Sequence, residues 1–354
     1  MIDFRYHLVS IVAVFLALAI GIVLGSTELQ GHTIDALTAT SNLQKNELNA
    51  AQAKNGVYQT QIGASEQFLQ SAEPKLLGGL LTGQSIVIVT EPGASGAVVD
   101  GVKQAAGVAG ATVTGEVALQ PKFYDVSGAT QANLSSINSQ VAGTTGTVLD
   151  AAADPQTQYQ QQAAQLIATA ILDKTAGQAG LSPASAQTLL GYYAQAGYLN
   201  LSGTPTDRAT LAVLVTPQSA PADGAADPAN LVLIAVAQEF ATASAVTIVA
   251  GDTTGSAQSG SAMSVLRSSS VSGSVSSVDN ADTTLGQISV IEAIATQLAG
   301  GKPNSYGISG ASAVSPVPVP SASASVSPSP STSASASTTP HPKATGTSKP
   351  ARKK

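Results

Sequence analysis

The stretch LVSIVAVFLALAIGIVLG, from Leu8 to Gly25, constrains this chain more than any other, because it holds no charged residue. At about 1.5 Å of rise per helical residue, a run of this length just crosses a hydrocarbon core of about 30 Å. Two fates are open to it. Arg5, His7 and the amino terminus form a weakly basic start, and Ala17-Leu18-Ala19 has the small-x-small pattern of a cleavage site. Cutting there leaves Ile20 to Leu24 as an exposed apolar start, unfavourable in water. Run length favours an uncleaved signal-anchor over residues 1–26. Arg5 precedes the span, whereas the far flank opens on Glu28 and Asp35 and has its first lysine at Lys45. That bias keeps the N-terminus in the cytoplasm and exports the remainder. The expectation is a single-pass protein of the cell membrane, in contact with lipid.

Ala13, Ala17, Gly21 and Gly25 recur every four residues, the small-residue stripe that lets two spans approach closely. Residues 27–79 then read as a helical stalk, proline-free as far as Pro74, which is expected to break the helix. With Ile34 at heptad position a, Leu48, Asn55, Ile62 and Leu69 continue that series, and Leu37 and Tyr58 fall at d. A modest coiled coil fits this pattern, with Asn55 setting its register. A single amphipathic helix packed on its own domain is the other reading. The first reading makes a homo-oligomer.

Residues 80–307 are expected to form a mostly parallel α/β domain. Ser85 to Thr90 is a continuous β-branched run, as in a strand buried on both faces. A loop over 91–96, a helix over 97–107 and a strand over 111–119 complete one βαβ unit. Helices are expected over 159–172, 184–196 and 285–299, and strands over 211–216, 246–250 and 275–278. The run 231–236 reads as a strand followed by a helix near 238–243. From 308 to 354 the composition collapses to Ser, Ala, Pro, Val and Thr, the mark of a disordered tail. Its tip, with Lys343, Lys349, Arg352, Lys353 and Lys354, could hold anionic cell-wall polymers or lipid head groups.

The chain has no cysteine, which removes disulfides, thiolate metal sites and cysteine catalysis. A net charge of −6 makes nucleic acid an unnatural partner. His7, His32 and His341 all lie outside the α/β segment, so no Ser-His-Asp triad can form there. An enzyme is not expected, and no cofactor is evident. Gly93 and Gly96 lack the spacing of a phosphate loop, and a tight turn explains them better. Asp279, Asn280 and Asp282 form the densest oxygen set and could hold a hard divalent cation. A turn that caps the following helix accounts for the same residues.

Two segments resemble a known family. One is Arg5-Tyr6-His7-Leu8-Val9-Ser10 running on into Val14 to Ser26. The other is Ser277-Val278-Asp279-Asn280-Ala281-Asp282-Thr283 with Gly286-Gln287 and the helix ending Gln297-Leu298-Ala299-Gly300. Tyr306-Gly307 closes the similarity. Over residues 1 to about 307 the chain resembles the actinobacterial copper transport protein MctB family. The family is named for limiting copper inside mycobacteria, and its founding member is described as an outer-membrane channel protein. The resemblance therefore implies copper transport. Copper prefers thiolate, thioether or imidazole ligands, and the residues here draw no such site: methionine occurs only at Met1 and Met263. A membrane barrel needs many alternating strands of about ten residues, whereas the expected strands are short, apolar and separated by helices.

Three functions follow. The first is a membrane-anchored envelope protein of copper homeostasis or efflux. The second is an envelope scaffold that oligomerises through span and stalk and binds a protein or wall partner. The third is a small-ligand site at the carboxyl ends of the strands, near Glu91-Pro92-Gly93 and Gly251-Asp252.

Overall fold

The computed structural model describes residues 4–151, 154–175 and 180–316. In chain order the elements are helix α1 (Phe4–Leu77), β1 (Ser85–Thr90), α2 (Gly96–Val108), β2 (Thr112–Leu119), α3 (Gly128–Thr145), α4 (Gln158–Ile171) and α5 (Pro183–Gln195). There follow β3 (Leu199–Gly203), β4 (Leu211–Val215), α6 (Pro228–Ala243), β5 (Val246–Ala250), the single turn α7 (Thr253–Ser256) and α8 (Ala262–Ser268). Strand β6 (Ser276–Val278), α9 (Thr284–Leu298) and β7 (Ser305–Tyr306) complete the set.

The strands form one sheet of order β3-β2-β1-β4-β5-β6-β7. Every pairing is parallel except that of the edge strand β3 with β2. The central strands alternate sides with period two. Val87 and Val89 of β1 and Ala212 and Leu214 of β4 face a core built with α4, α5 and α6. Ile86, Ile88, Leu211 and Val213 face the opposite core, with α2, α9 and the end of α1. Both faces are dry, which is why these strands read as unbroken apolar runs.

Helix α1 is one unbroken helix of 74 residues, about 110 Å long. Residues 5–26 and 37–65 are exposed, and burial begins at Glu66. The Glu66 carboxylate accepts from the Thr284 amide at 3.0 Å, capping the start of α9. Leu77 and the following Leu81 are wholly buried in the second core. Pro74 does not end the helix, contrary to expectation: α1 runs through it to Leu77. One proline near a terminus forfeits a single hydrogen bond, and burial of Leu77 outweighs that loss. The chain leaves the helix instead at Gly79, whose φ of 83° is left-handed.

Three more expectations need correction. Residues 231–236 are helix, inside α6, and not strand. The Asp227 carboxylate accepts from the Ala229 amide and Pro228 opens the first turn, so start signals outweigh the run LVLIAV. That run is apolar because α6 is buried along most of its length. The folded domain also does not stop at 307. Residues 308–316 fold back on β7: Gly307 donates to Ala313 O at 3.0 Å, and Ser289 Oγ donates to Ser315 Oγ at 3.0 Å. Lastly, helix α3 and strand β3 add two elements to those expected. The tail from 317, with its basic tip, lies outside the described residues.

Gly286 shows how tightly α9 is seated. A Cβ there would strike the carbonyl of Asn280, while one at Gly56 in the exposed part of α1 meets nothing within 4 Å. Gly286→Ala is expected to cost about 1–3 kcal/mol of domain stability. Gly56→Ala is expected to leave the domain unchanged and to raise helicity. Denaturant titration of the full chain in detergent, followed by circular dichroism, reads both.

Candidate functional site

Helix α2 follows β1 on one face of the sheet, and α6 follows β4 on the other. Adjacent parallel strands whose helices depart to opposite sides leave a crevice at their carboxyl ends. Glu91 sits in that crevice. Its amide donates to Val215 O and its carbonyl accepts from the Ala94 amide, both at 3.0 Å. Gly93, at φ 82°, completes the turn, and Gln218 donates to Gly93 O at 3.0 Å. The loops after β1 and β4 are thus tied to each other, and Glu91 has no freedom to swing out on its backbone.

Its side chain lines a cavity of about 290 Å³, framed by Pro92, Pro121, Pro217 and Pro221 and by Tyr124. Glu91 is only 7 % exposed, and its Oε1 has no hydrogen-bond partner among the described residues. The buried hydroxyl of Tyr124 also has none. Burial pushes the Glu91 carboxyl up to about 8. The Tyr124 phenol is raised as well, by burial first and then by Glu91. An acid taken out of water without a partner keeps its proton, because the charged form loses its hydration. A second cavity, of about 530 Å³, shares Glu91, Pro92 and Pro121 and adds Asp100, Lys103 and Glu116. Lys103 is paired there with Glu116 at 2.8 Å.

The other sequence candidates are engaged elsewhere. Asp252 accepts from the Gly255 amide at 2.8 Å, capping α7, and from Gln218 Nε2 at 3.4 Å. Asp279 is fully buried and paired with Arg267 at 2.8 Å, and it accepts from the amides of Ile308 and Ser309. Arg267 also donates to the carbonyls of Tyr306 and Ser309. Asp282 accepts from the amide and hydroxyl of Thr253, both at 2.8 Å. The Asn280 amide donates to the Thr283 hydroxyl at 3.4 Å, and Thr283 caps α9. The three side chains face three different partners. Among the described residues no group of three or more His, Asp and Glu could hold a metal ion. Met263 is buried in the first core. His7 lies on the exposed start of α1, His341 lies outside the described residues, and the side chains of His32 and Ile34 are likewise not described.

Of the span residues, Ala13, Ala17, Gly21 and Gly25 are all exposed, and so are Leu37, Leu48, Asn55 and Ile62 of the stalk. Leu69 packs partly against the second core. Residues 5–26 form the one helical segment, among those described, that is long and apolar enough to cross a membrane.

Residues 1–318 match the family described as copper transport outer membrane protein, MctB. The chain belongs to the MctB family. Among its curated relatives, copper transporter MctB of Mycobacterium tuberculosis (strain ATCC 25618 / H37Rv) is 30% identical over 129 residues, 36% of this chain and 41% of the relative. Copper transporter MctB of Mycobacterium leprae (strain TN) is 32% identical over 145 residues, 40% of this chain and 44% of the relative. The chain thus spans about two fifths of the length of the curated relatives it matches. The MctB match extends past 307, over the segment that Arg267 and Asp279 hold against β7.

Two outcomes are expected from this geometry. Folding raises the Glu91 pKa from 4.5 to about 8, so the unfolded chain gives up this proton first as pH rises. Stability from this group is full below pH 4.5 and declines toward pH 8, by roughly 5 kcal/mol at most. Glu91→Gln should flatten that decline, melting with the wild type near pH 4 and above it at pH 8 in a calorimetric pH series. Arg267→Ala should cost about 3–5 kcal/mol, since it strands the buried Asp279 charge. Converting both residues to apolar ones should cost less than the sum, as read by a double-mutant cycle in urea.

Proposed function

We propose that this protein is a non-enzymatic, single-pass membrane protein of the cell envelope that acts in copper homeostasis. Residues 5–26 cross the cell membrane with the N-terminus in the cytoplasm, and the α/β domain stands outside. The observation that carries this reading is the continuity of α1. The same helix that offers an exposed apolar span over Arg5–Ser26 ends inside the domain core at Leu77. The copper role is supported by family membership and by the names of the mycobacterial relatives. No copper site is drawn among the described residues, so the protein acts on copper through its partners or its assembly.

Self-association belongs to this reading. Leu48, Tyr58 and Ile62 are more than half exposed along the stalk. Pairing there, and along the stripe from Ala13 to Gly25, would cover them. The chain has no cysteine, so introduced ones report cleanly. Leu48→Cys and Ile62→Cys are expected to form interchain disulfides in membranes, and Asn46→Cys, on the opposite heptad face, is not. A set of monomers at all three positions would remove the oligomer from the proposal.

The deciding measurement is total cell copper across a copper series. It should rise on deletion and return on complementation with the full chain. A chain released from the membrane by a cleavable leader should fail to restore it. The exposed stalk also favours a second reading, an envelope scaffold whose basic tail, outside the described residues, grips wall polymer. Unchanged copper together with metal-insensitive capture of wall proteins would put that reading first.

A further inference from the structure

We infer that the cavity between Glu91 and Tyr124 is a binding site for a small organic cation, an ammonium group carried on an apolar body. The inference is independent of the copper role. Glu91 and Tyr124 both line one cavity, and the buried Glu91 Oε1 and Tyr124 hydroxyl lack partners among the described residues. Buried polar groups in folded proteins are almost always hydrogen-bonded, so a pair of orphans in a shared cavity marks a place for a donor. With Glu91 ionised, its carboxylate and the Tyr124 oxygen both accept hydrogen bonds, and an ammonium supplies up to three.

The surroundings select the charge of the ligand. The lining of the two adjoining cavities carries three carboxyls, on Glu91, Asp100 and Glu116, and a single cationic side chain, Lys103, which is already paired with Glu116. An anion has nothing there to meet. The amino end of α6 borders the first cavity, and Asp227 already caps it. The walls select the body of the ligand. Four prolines with Ala229 and Ala262 make a rigid apolar frame, and Tyr124 adds an aromatic side chain, the kind that attracts cations. The lining holds no histidine or methionine, so it offers copper none of the ligands copper prefers.

Glu91 must be ionised to pair with the ammonium, so binding near neutrality releases its proton to solvent. The groups facing it are Tyr124 within the cavity and Asp100, Lys103 and Glu116 in the adjoining one. Affinity should therefore rise between pH 6 and pH 8.5.

The test is isothermal titration of the full chain in lipid nanodiscs with cyclohexylammonium. Cyclohexanol, cyclohexanecarboxylate and copper(II) chloride serve as comparison ligands. Saturable binding of the ammonium alone is expected, with proton release shown by two buffers of different ionisation enthalpy. Glu91→Gln should weaken it by about tenfold or more. Ala262→Leu, which narrows the cavity and leaves the acid in place, should do the same. Circular dichroism of both variants secures the fold. The inference is overturned by an absence of saturable heat, by equal binding of cyclohexanol, or by undiminished binding to both variants. Copper(II) binding that requires Glu91 where the ammonium does not bind would also overturn it, in favour of a metal site.

Discussion

A parallel sheet has two faces to keep from water, and this one enlists the far end of an N-terminal helix to cover the second. Ile86, Ile88, Val213 and Ile248 lie against α2, α9 and the last turns of α1. Leu77 and Leu81 are wholly buried in that layer, where the end of α1 packs on α9 and α2. The domain therefore does not hang from α1 on a tether. It is completed by α1, and the Glu66 cap on α9 ties the helix to the same layer.

Much of this was legible in the sequence, for a physical reason. Strands β1, β4 and β5 are buried on both sides, so their residues are apolar at nearly every position, and short apolar runs between turns betray them. The same logic misled at α6. A helix buried around most of its circumference also carries long apolar runs, and LVLIAV alone does not separate it from a strand; the Asp227-Pro228 start does. Helix α3 carries no apolar stripe in the sequence, because its buried residues, Thr130, Leu134, Asn138 and Val141, are half polar. Asn138 is buried there because the Tyr193 hydroxyl donates to it at 2.7 Å and it donates to Tyr159 O at 2.9 Å. The edge strand β3 is mostly exposed and ends in glycine, which erases any alternation.

The candidate site was half legible. The loop at Glu91-Pro92-Gly93 could be placed at the end of a parallel strand, but nothing local said that its acid is dry. That follows from Tyr124, Pro217 and Pro221, which come from remote parts of the chain. Asp279 shows the reverse. It looked like part of a hard-ion cluster because its neighbours in sequence are oxygen donors. In space its neighbours are Arg267 and the backbone of 306–309, and its charge is spent on closing the domain. The two acids are both buried, but Asp279 has a cation and two backbone amides, and Glu91 Oε1 has neither among the described residues.

Helix α1 also behaves as a ruler. Between the end of its apolar segment at Ser26 and Glu66, the first half-buried residue among those described, lie thirty-nine positions of helix, about 60 Å at the ordinary rise per residue. Because the helix is continuous into the core, that stand-off is a fixed length. Inserting or deleting whole heptads would change the distance between the apolar segment and the domain while nearly preserving their relative rotation. A single-residue insertion would barely change the height, but would rotate the domain by about 100°.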